Sequence, residues 1–185
     1  LNLQNDAPEP GVDRVLFTSG GAYLTGGGNV TIKVSRDVRL TGYAYIETEN
    51  GNIAIEANQQ SVPTSGNFTG VVISGLHDSF SDVYASISTF GTGNIKVKGR
   101  GGEGNNANCQ GVRLLPNGGI YGYGTGNSIS VFGRAGSTSA DRGVGVNLDR
   151  DGGPTRSRPP SARGSGASLL RAASARRRCP RCGAR

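Results

Sequence analysis

The sequence predicts an all-β fold, a right-handed parallel β-helix (solenoid) fragment followed by a disordered C-terminal tail. Three observations carry this. Of 185 residues 32 are glycine, and tryptophan and methionine are absent, so bulky side chains cannot fill a wide core and the interior must be thin. Gly-Asn recurs ahead of alternating β-formers, at Gly28-Asn29-Val30-Thr31-Ile32-Lys33-Val34, Gly51-Asn52-Ile53-Ala54-Ile55, Gly93-Asn94-Ile95-Lys96-Val97 and, with one inserted residue, Gly126-Asn127-Ser128-Ile129-Ser130-Val131. Finally, no window before Asp149 spaces apolar residues as an amphipathic helix does.

Residues 1–23 form a lead-in segment, readable as a first coil, and the glycine-rich repeats occupy 24–150. Each Gly-Asn reads as a turn feeding a strand. Val, Ile and Thr suit a pleated, half-buried surface, and Gly-Asn offers the positive φ that a tight corner uses. A second motif interleaves with the first, at Gly70-Val71-Val72-Ile73, Gly111-Val112-Arg113-Leu114 and Gly143-Val144-Gly145-Val146. From Gly93 onward the two motifs alternate at intervals of 18, 15 and 17 residues, so the unit is expected to be near one β-helical coil; the earlier intervals of 19 and 23 are looser. Repeats on this scale indicate a stacked array. Val62 to Ser65 and Gly101 to Asn108 read as loops. Short strands with glycine-rich turns also describe a β-sandwich, which is the alternative architecture.

The formal charge of +7 does not belong to the body of the chain. Up to Asp149 there are 10 basic and 12 acidic residues, a net of −2; the remaining 36 residues carry ten Arg against one Asp, a net of +9. The body also holds 14 Asn and those last 36 residues none. So abrupt a change reads as a tail, 151–185, translated out of frame. Within it Cys179-Pro180-Arg181-Cys182 is half of a zinc knuckle without two further ligands in reach. Arg176-Arg177-Arg178 could hold phosphates, which makes a nucleic-acid-binding tail one alternative reading. The tail has no aromatic residue to stack on bases, so nucleic acid is the weaker partner. No apolar stretch of about 18 residues could span a bilayer, so no transmembrane segment is expected. Cys109 is the one cysteine of the body, which leaves no disulfide framework there. The chain opens at Leu1 inside ordinary body sequence and is read as a fragment, with any export signal upstream.

Residues 93–148 run Gly-Asn-Ile-Lys-Val-Lys-Gly-Arg-Gly-Gly-Glu-Gly, then Gly-Val-Arg-Leu, Gly-Gly-Ile-Tyr-Gly, Thr-Gly-Asn-Ser-Ile-Ser-Val-Phe-Gly and Arg-Gly-Val-Gly-Val. This resembles the β-strand repeats of large bacterial surface proteins, the filamentous-haemagglutinin-like and autotransporter-passenger-like adhesins, over about residues 24–150. The resemblance implies a parallel β-helix exported to the extracellular space or the bacterial outer surface. It implies a structural and adhesive role, with host or matrix glycans or proteins and further repeats of the parent chain as partners. It supplies no catalytic residues.

Strand alternation supplies the candidate site. In Tyr43-Ala44-Tyr45-Ile46-Glu47-Thr48-Glu49 it sends Ala44, Ile46 and Thr48 inward and sets Tyr43, Tyr45, Glu47 and Glu49 in one outer row. Ile53, Ile55 and Ala57 go inward from the next strand, with Glu56 beside the same row. Aromatic faces next to carboxylates suit sugar rings, and clustered carboxylates can hold Ca²⁺; a solvated strand face is the plainer reading. The enzymatic alternative, a polysaccharide lyase, needs paired carboxylates or a metal with a base at fixed separation. Its candidates are His77, Asp78 and Asp82, in a polar link that fixes no geometry. Gly101-Gly102-Glu103-Gly104-Asn105-Asn106-Ala107 has Asn where a calcium-binding nonapeptide needs Asp, and no tandem copy. Beyond that weak Ca²⁺ reading no cofactor is expected.

Overall fold

A computed structural model describes residues 1–4, 11–77, 82–104, 109–136 and 144–149. Among them there is no helix. Fourteen strands follow one another as β1 (Asn2–Gln4), β2 (Arg14–Leu24), β3 (Val30–Val34), β4 (Asp37–Thr48), β5 (Ile53–Ala57), β6 (Val71–Ser74), β7 (Leu76–His77), β8 (Asp82–Val83), β9 (Ala85–Thr89), β10 (Ile95–Arg100), β11 (Val112–Leu114), β12 (Gly118–Gly122), β13 (Ile129–Arg134) and β14 (Val146–Leu148).

Two parallel sheets hold all but two of these. The first runs β1-β3-β5-β10-β13; the second runs β12-β9-β4-β6-β11-β14, with β2 also on β4. The long strand β4 serves two columns, its first half pairing with β6 and its second with β9. The chain therefore visits the first sheet, then the first and second columns of the second sheet, and returns. Like residues meet at each return: Val30, Ile53, Ile95 and Ile129 are in register in the first sheet, and Val38, Val71, Val112 and Val146 in the first column of the second. Ile46, Ile87 and Ile120 align in the second column. β4 turns between columns at Gly42, whose φ is +67°, opposite the irregularity between Phe17 and Ser19 in β2.

These aliphatic stacks are the core, from Val30 and Ile32 through Ile87 to Val131, and each fully buried side chain of this size contributes about 1.5–3 kcal/mol. The interior is as thin as the composition implies. A Cβ on Gly99 would lie 2.1 Å from the Gly111 oxygen, and one on Gly133 1.9 Å from the Gly145 oxygen. At this corner backbone meets backbone.

Two sequence expectations need correction. The Gly-Asn motifs begin strands of the first sheet, while Gly70-Val71 and Gly111-Val112 begin strands of the second, so the two motifs are sides of one pass rather than successive coils. A full pass separates Asn29 from Asn52 by 23 residues, Asn52 from Asn94 by 42, and Asn94 from Ser128 by 34. Nor do Gly28, Gly51 and Gly93 carry positive φ, which among the described glycines belongs to Gly20, Gly26, Gly42, Gly66 and Gly126. Gly51 is instead pressed against the pass before it: a Cβ there would sit 1.8 Å from the Gly28 oxygen, and one on Gly93 2.0 Å from the Gly51 oxygen. The neighbouring asparagines make a ladder, the Asn29 carboxamide accepting from Asn52 N at 2.7 Å, Asn52 from Asn94 N at 2.9 Å and Asn94 from Ser128 N at 2.8 Å. Ser128 thus takes the ladder position in the motif with an inserted residue, and buried Asn127 donates to the Gly91 oxygen at 2.6 Å.

The variable pass length comes from insertions. Residues 58–70 form a loop organised by buried Asn58 (φ +57°), whose oxygen accepts from Thr64 N at 2.8 Å and whose amide donates to the Gly101 oxygen at 3.2 Å. Buried Phe68 from this loop lines a cleft together with Val72. β7 and β8 form a small antiparallel hairpin between columns. The tail 151–185, with Cys179, Cys182 and Arg176 to Arg178, lies outside the described residues, as do Asp78 and residues 105–108.

Candidate functional site: an aromatic sheet face

The second column of the second sheet places its small residues inward and its rings outward. In β4, Ala44, Ile46 and Thr48 are each 0% exposed, whereas Tyr43 is 63% exposed. Alternation repeats this in the neighbouring strands: Tyr23 lies opposite Glu47, Glu47 opposite Ser88, and Ser88 opposite Tyr121. Tyr84 precedes β9, Phe90 follows it and Tyr123 follows β12, in the same phase. All six tyrosines of the chain and Phe90 therefore share one face. Every one of them except the half-buried Tyr45 is exposed.

The rings fall into two groups around a polar centre. Tyr43 and Tyr45 meet edge to face at 6.2 Å. On the other side Phe90 stacks on Tyr123 at 5.2 Å with 10° between planes, Tyr121 on Tyr123 at 5.8 Å, and Tyr23 meets Phe90 edge-on at 6.5 Å. Between them Glu47 accepts hydrogen bonds from the Ser88 hydroxyl at 3.0 Å and the Ser86 hydroxyl at 3.4 Å. Glu49 accepts from the Tyr23 hydroxyl at 3.2 Å and from Gly26 N at 2.7 Å, which ties the turn at 25–28 to the face. Tyr121 curls back along its strand: a Cβ on Gly119 would meet the Tyr121 hydroxyl at 2.1 Å. A larger residue at 119 would displace the ring from this seat.

Crowding and nearby groups favour the neutral phenol at three of these tyrosines. Burial first, and Tyr84 second, raise the Tyr121 pKa above the ordinary tyrosine value. Burial, then Tyr121, then Glu47 raise that of Tyr123, and Tyr23 is raised by desolvation and then by its hydrogen bond to Glu49. Each cause disfavours a phenolate.

Of the residues singled out in the sequence, Tyr43, Tyr45, Glu47 and Glu49 come together on this face. Glu56 does not. It stands on the first sheet in register with Lys33 and Lys98 and pairs with the Lys98 ammonium at 3.3 Å. The carboxylates proposed for Ca²⁺ thus divide between two sheets, and among the described residues no group of three or more His, Cys, Asp or Glu is placed to hold a metal. His77 pairs with Asp82 across the β7–β8 hairpin, and the Asp82 carboxylate accepts from the Asn117 amide at 3.1 Å. Sequence reasoning missed Tyr23, Tyr84, Phe90, Tyr121 and Tyr123. Period two in Gly118-Gly119-Ile120-Tyr121-Gly122-Tyr123 is the signal that could have found the last pair.

The other polar cluster is internally compensated. Asp37, with a fully buried side chain, takes Arg14 at 3.1 Å, Arg36 at 3.3 Å and Arg39 at 2.8 Å. Arg113, which shares the Phe68 cleft with Arg39, is paired with Asp149. No protein-family model, curated protein or solved structure matches the chain.

Proposed function

We propose that the chain is a segment of right-handed parallel β-helix with a structural and adhesive role at an extracellular or cell-surface location. Its stacked passes make a stiff stem, and its outer faces make contact with cells or matrix. The in-register parallel return of every column supports the β-helix, and right-handedness follows from the strong bias of parallel crossover connections. The observation that carries the adhesive part is the gathering of seven aromatic side chains on one outer face. Interior positions account for the in-register aliphatic stacks, but nothing in folding calls for a cluster of exposed rings. Exposed apolar patches of this kind mark interaction sites.

Immobilised full-length chain should retain cells or matrix material, and a Tyr43→Ser/Tyr121→Ser/Tyr123→Ser variant that still folds should retain much less. No retention by the parent chain, or equal retention by the variant, refutes the adhesive role. Small-angle scattering that reports a compact sphere rather than an elongated particle refutes the stem.

A further inference from the structure

Resting on the adhesive reading above, the geometry points to a ligand class: the tyrosine face binds glycan chains that carry no acidic groups. Size decides first between a glycan and a protein. Along β9 the face runs from Tyr84 to Phe90, about 20 Å at the usual rise per residue, and across four strands it spans about 14 Å. An area on the order of 300 Å² lies at the low end of functional surface patches. It is well short of the roughly 800 Å² per partner that a stable protein interface or a second copy of the chain needs. A short run of sugar rings fits such a footprint.

Chemistry agrees with size. A sugar ring offers one apolar face and a rim of hydroxyls, so it suits aromatic surface interrupted by a few polar groups. Tyr43 and Tyr45 on one side, and Tyr23, Phe90, Tyr121 and Tyr123 on the other, supply the aromatic surface. Glu47 and Ser86 form the polar strip between them, with buried Ser88 donating to Glu47 from beneath. A carboxylate has about four lone-pair sites, so Glu47 keeps acceptor capacity for sugar hydroxyls after bonding both serines.

Charge then selects within the class. The face carries Glu47 and Glu49, and among its described residues there is no Lys or Arg. Two carboxylates about 6 Å from a bound uronate or sulfate, at water-like dielectric, disfavour it by about tenfold. Uncharged and amine-bearing glycans incur no such repulsion.

The chain reports on itself. It has no tryptophan and all six tyrosines lie on this face, so intrinsic tyrosine fluorescence reads the proposed site alone. Titrating the full-length chain with cello- or chito-oligosaccharides should change that fluorescence saturably. Oligogalacturonate should bind about tenfold more weakly at low salt, with the gap closing as salt screens it and in Glu47→Gln. Phe90→Ala keeps every fluorophore and should weaken uncharged glycans about tenfold, with the far-ultraviolet dichroism unchanged. The inference is overturned if acidic oligomers bind as tightly as uncharged ones at low salt, if Phe90→Ala leaves affinity unaltered, or if no oligosaccharide perturbs the fluorescence. Should the immobilised chain still retain cells or matrix through this face in that last case, the ligand class falls and the adhesive role stands. If retention is absent as well, both fall.

Discussion

Replacing Gly51 by alanine separates two explanations of the Gly-Asn repeat. Were the glycine there for a left-handed backbone, asparagine, which tolerates that region, would substitute well. Gly51 has no positive φ, and a Cβ on it would lie 1.8 Å from the Gly28 oxygen and 2.5 Å from the Gly28 carbon, where real Cβ contacts are no shorter than 3.0 Å. One pass must therefore move away from the other by more than an ångström. That motion stretches Val30 N to Asn52 O at 2.9 Å and Asn52 N to the Asn29 carboxamide at 2.7 Å. Two hydrogen bonds lost at about 1 kcal/mol each, with overpacking of about 1–3 kcal/mol, give a destabilisation of roughly 3–5 kcal/mol. For a chain of this length it lowers the melting temperature by about 6–20 °C. Urea unfolding followed by far-ultraviolet dichroism measures it. Gly51→Asn should cost as much as Gly51→Ala, because any Cβ clashes. At Gly126, with φ +82° and no heavy atom within 4 Å of a Cβ, asparagine should cost under about 1 kcal/mol and alanine about 1–2 kcal/mol. A Gly51→Ala cost below about 1 kcal/mol, or its relief by asparagine, would refute close approach as the reason for the motif.

Further outcomes follow from the same packing. Ile55→Ala, in the middle of the first sheet's stack at 0% exposure, should cost about 2–5 kcal/mol in the same urea assay. Asp37→Ala removes a buried carboxylate shared by Arg14, Arg36 and Arg39. Breaking a buried pair costs about 3–5 kcal/mol, and since these arginine side chains keep 33–45% exposure, solvent screening brings the expectation to about 2–3 kcal/mol. The raised pKa values of Tyr121 and Tyr123 favour the neutral phenol in the folded state. Their contribution to stability is therefore complete below pH of about 10, the unfolded tyrosine value, and fades as pH climbs through the folded values. Phenolate absorbance of the folded chain should include ionisation later than the ordinary tyrosine value, and Tyr121→Phe should remove part of that late absorbance. A titration with no phenolate absorbance later than the ordinary tyrosine value contradicts the crowding of these rings.

Strand content and facing were legible because period two is a local property. The inward set Ala44, Ile46 and Thr48 and the set Ile53, Ile55 and Ala57 follow from alternation alone, and all six are buried. Which strand lies beside which is not local. The 15- to 18-residue spacing looked like a coil because both sheets start their strands with glycine, and only the pairing of Ile95 with Ile129 shows that a pass takes in two such units. The same gap hid most of the aromatic face: Tyr23, Tyr84 and Tyr121 are far apart in sequence and become neighbours through register with β4 and β9. Glu56 was misassigned for the converse reason. It is near Glu49 in the chain, yet the corner after β4 carries it onto the other sheet, against Lys98.

The three outer faces differ in kind, and the difference bears on which one would serve the proposed adhesive role. On the first sheet Lys33, Glu56 and Lys98 are in register, and such rows of alternating charge stay solvated and contribute little. The first column of the second sheet sets Arg39, Val72 and Arg113 side by side, but Phe68 shares their cleft and Asp37 and Asp149 take up the guanidiniums. Among the described residues only the second column gathers several exposed rings around carboxylates; the first sheet has the single exposed ring of Phe132, beside Lys98. Since interior positions are restricted to small aliphatic side chains by a lumen in which glycines already touch, substitutions that alter recognition without loss of the fold must fall on outer positions. Exchanging Tyr43, the most exposed of the rings at 63%, for serine should therefore leave the unfolding free energy within about 0.5 kcal/mol of the parent while weakening the proposed contact. Equal loss of stability and binding would mean that the rings belong to the scaffold after all.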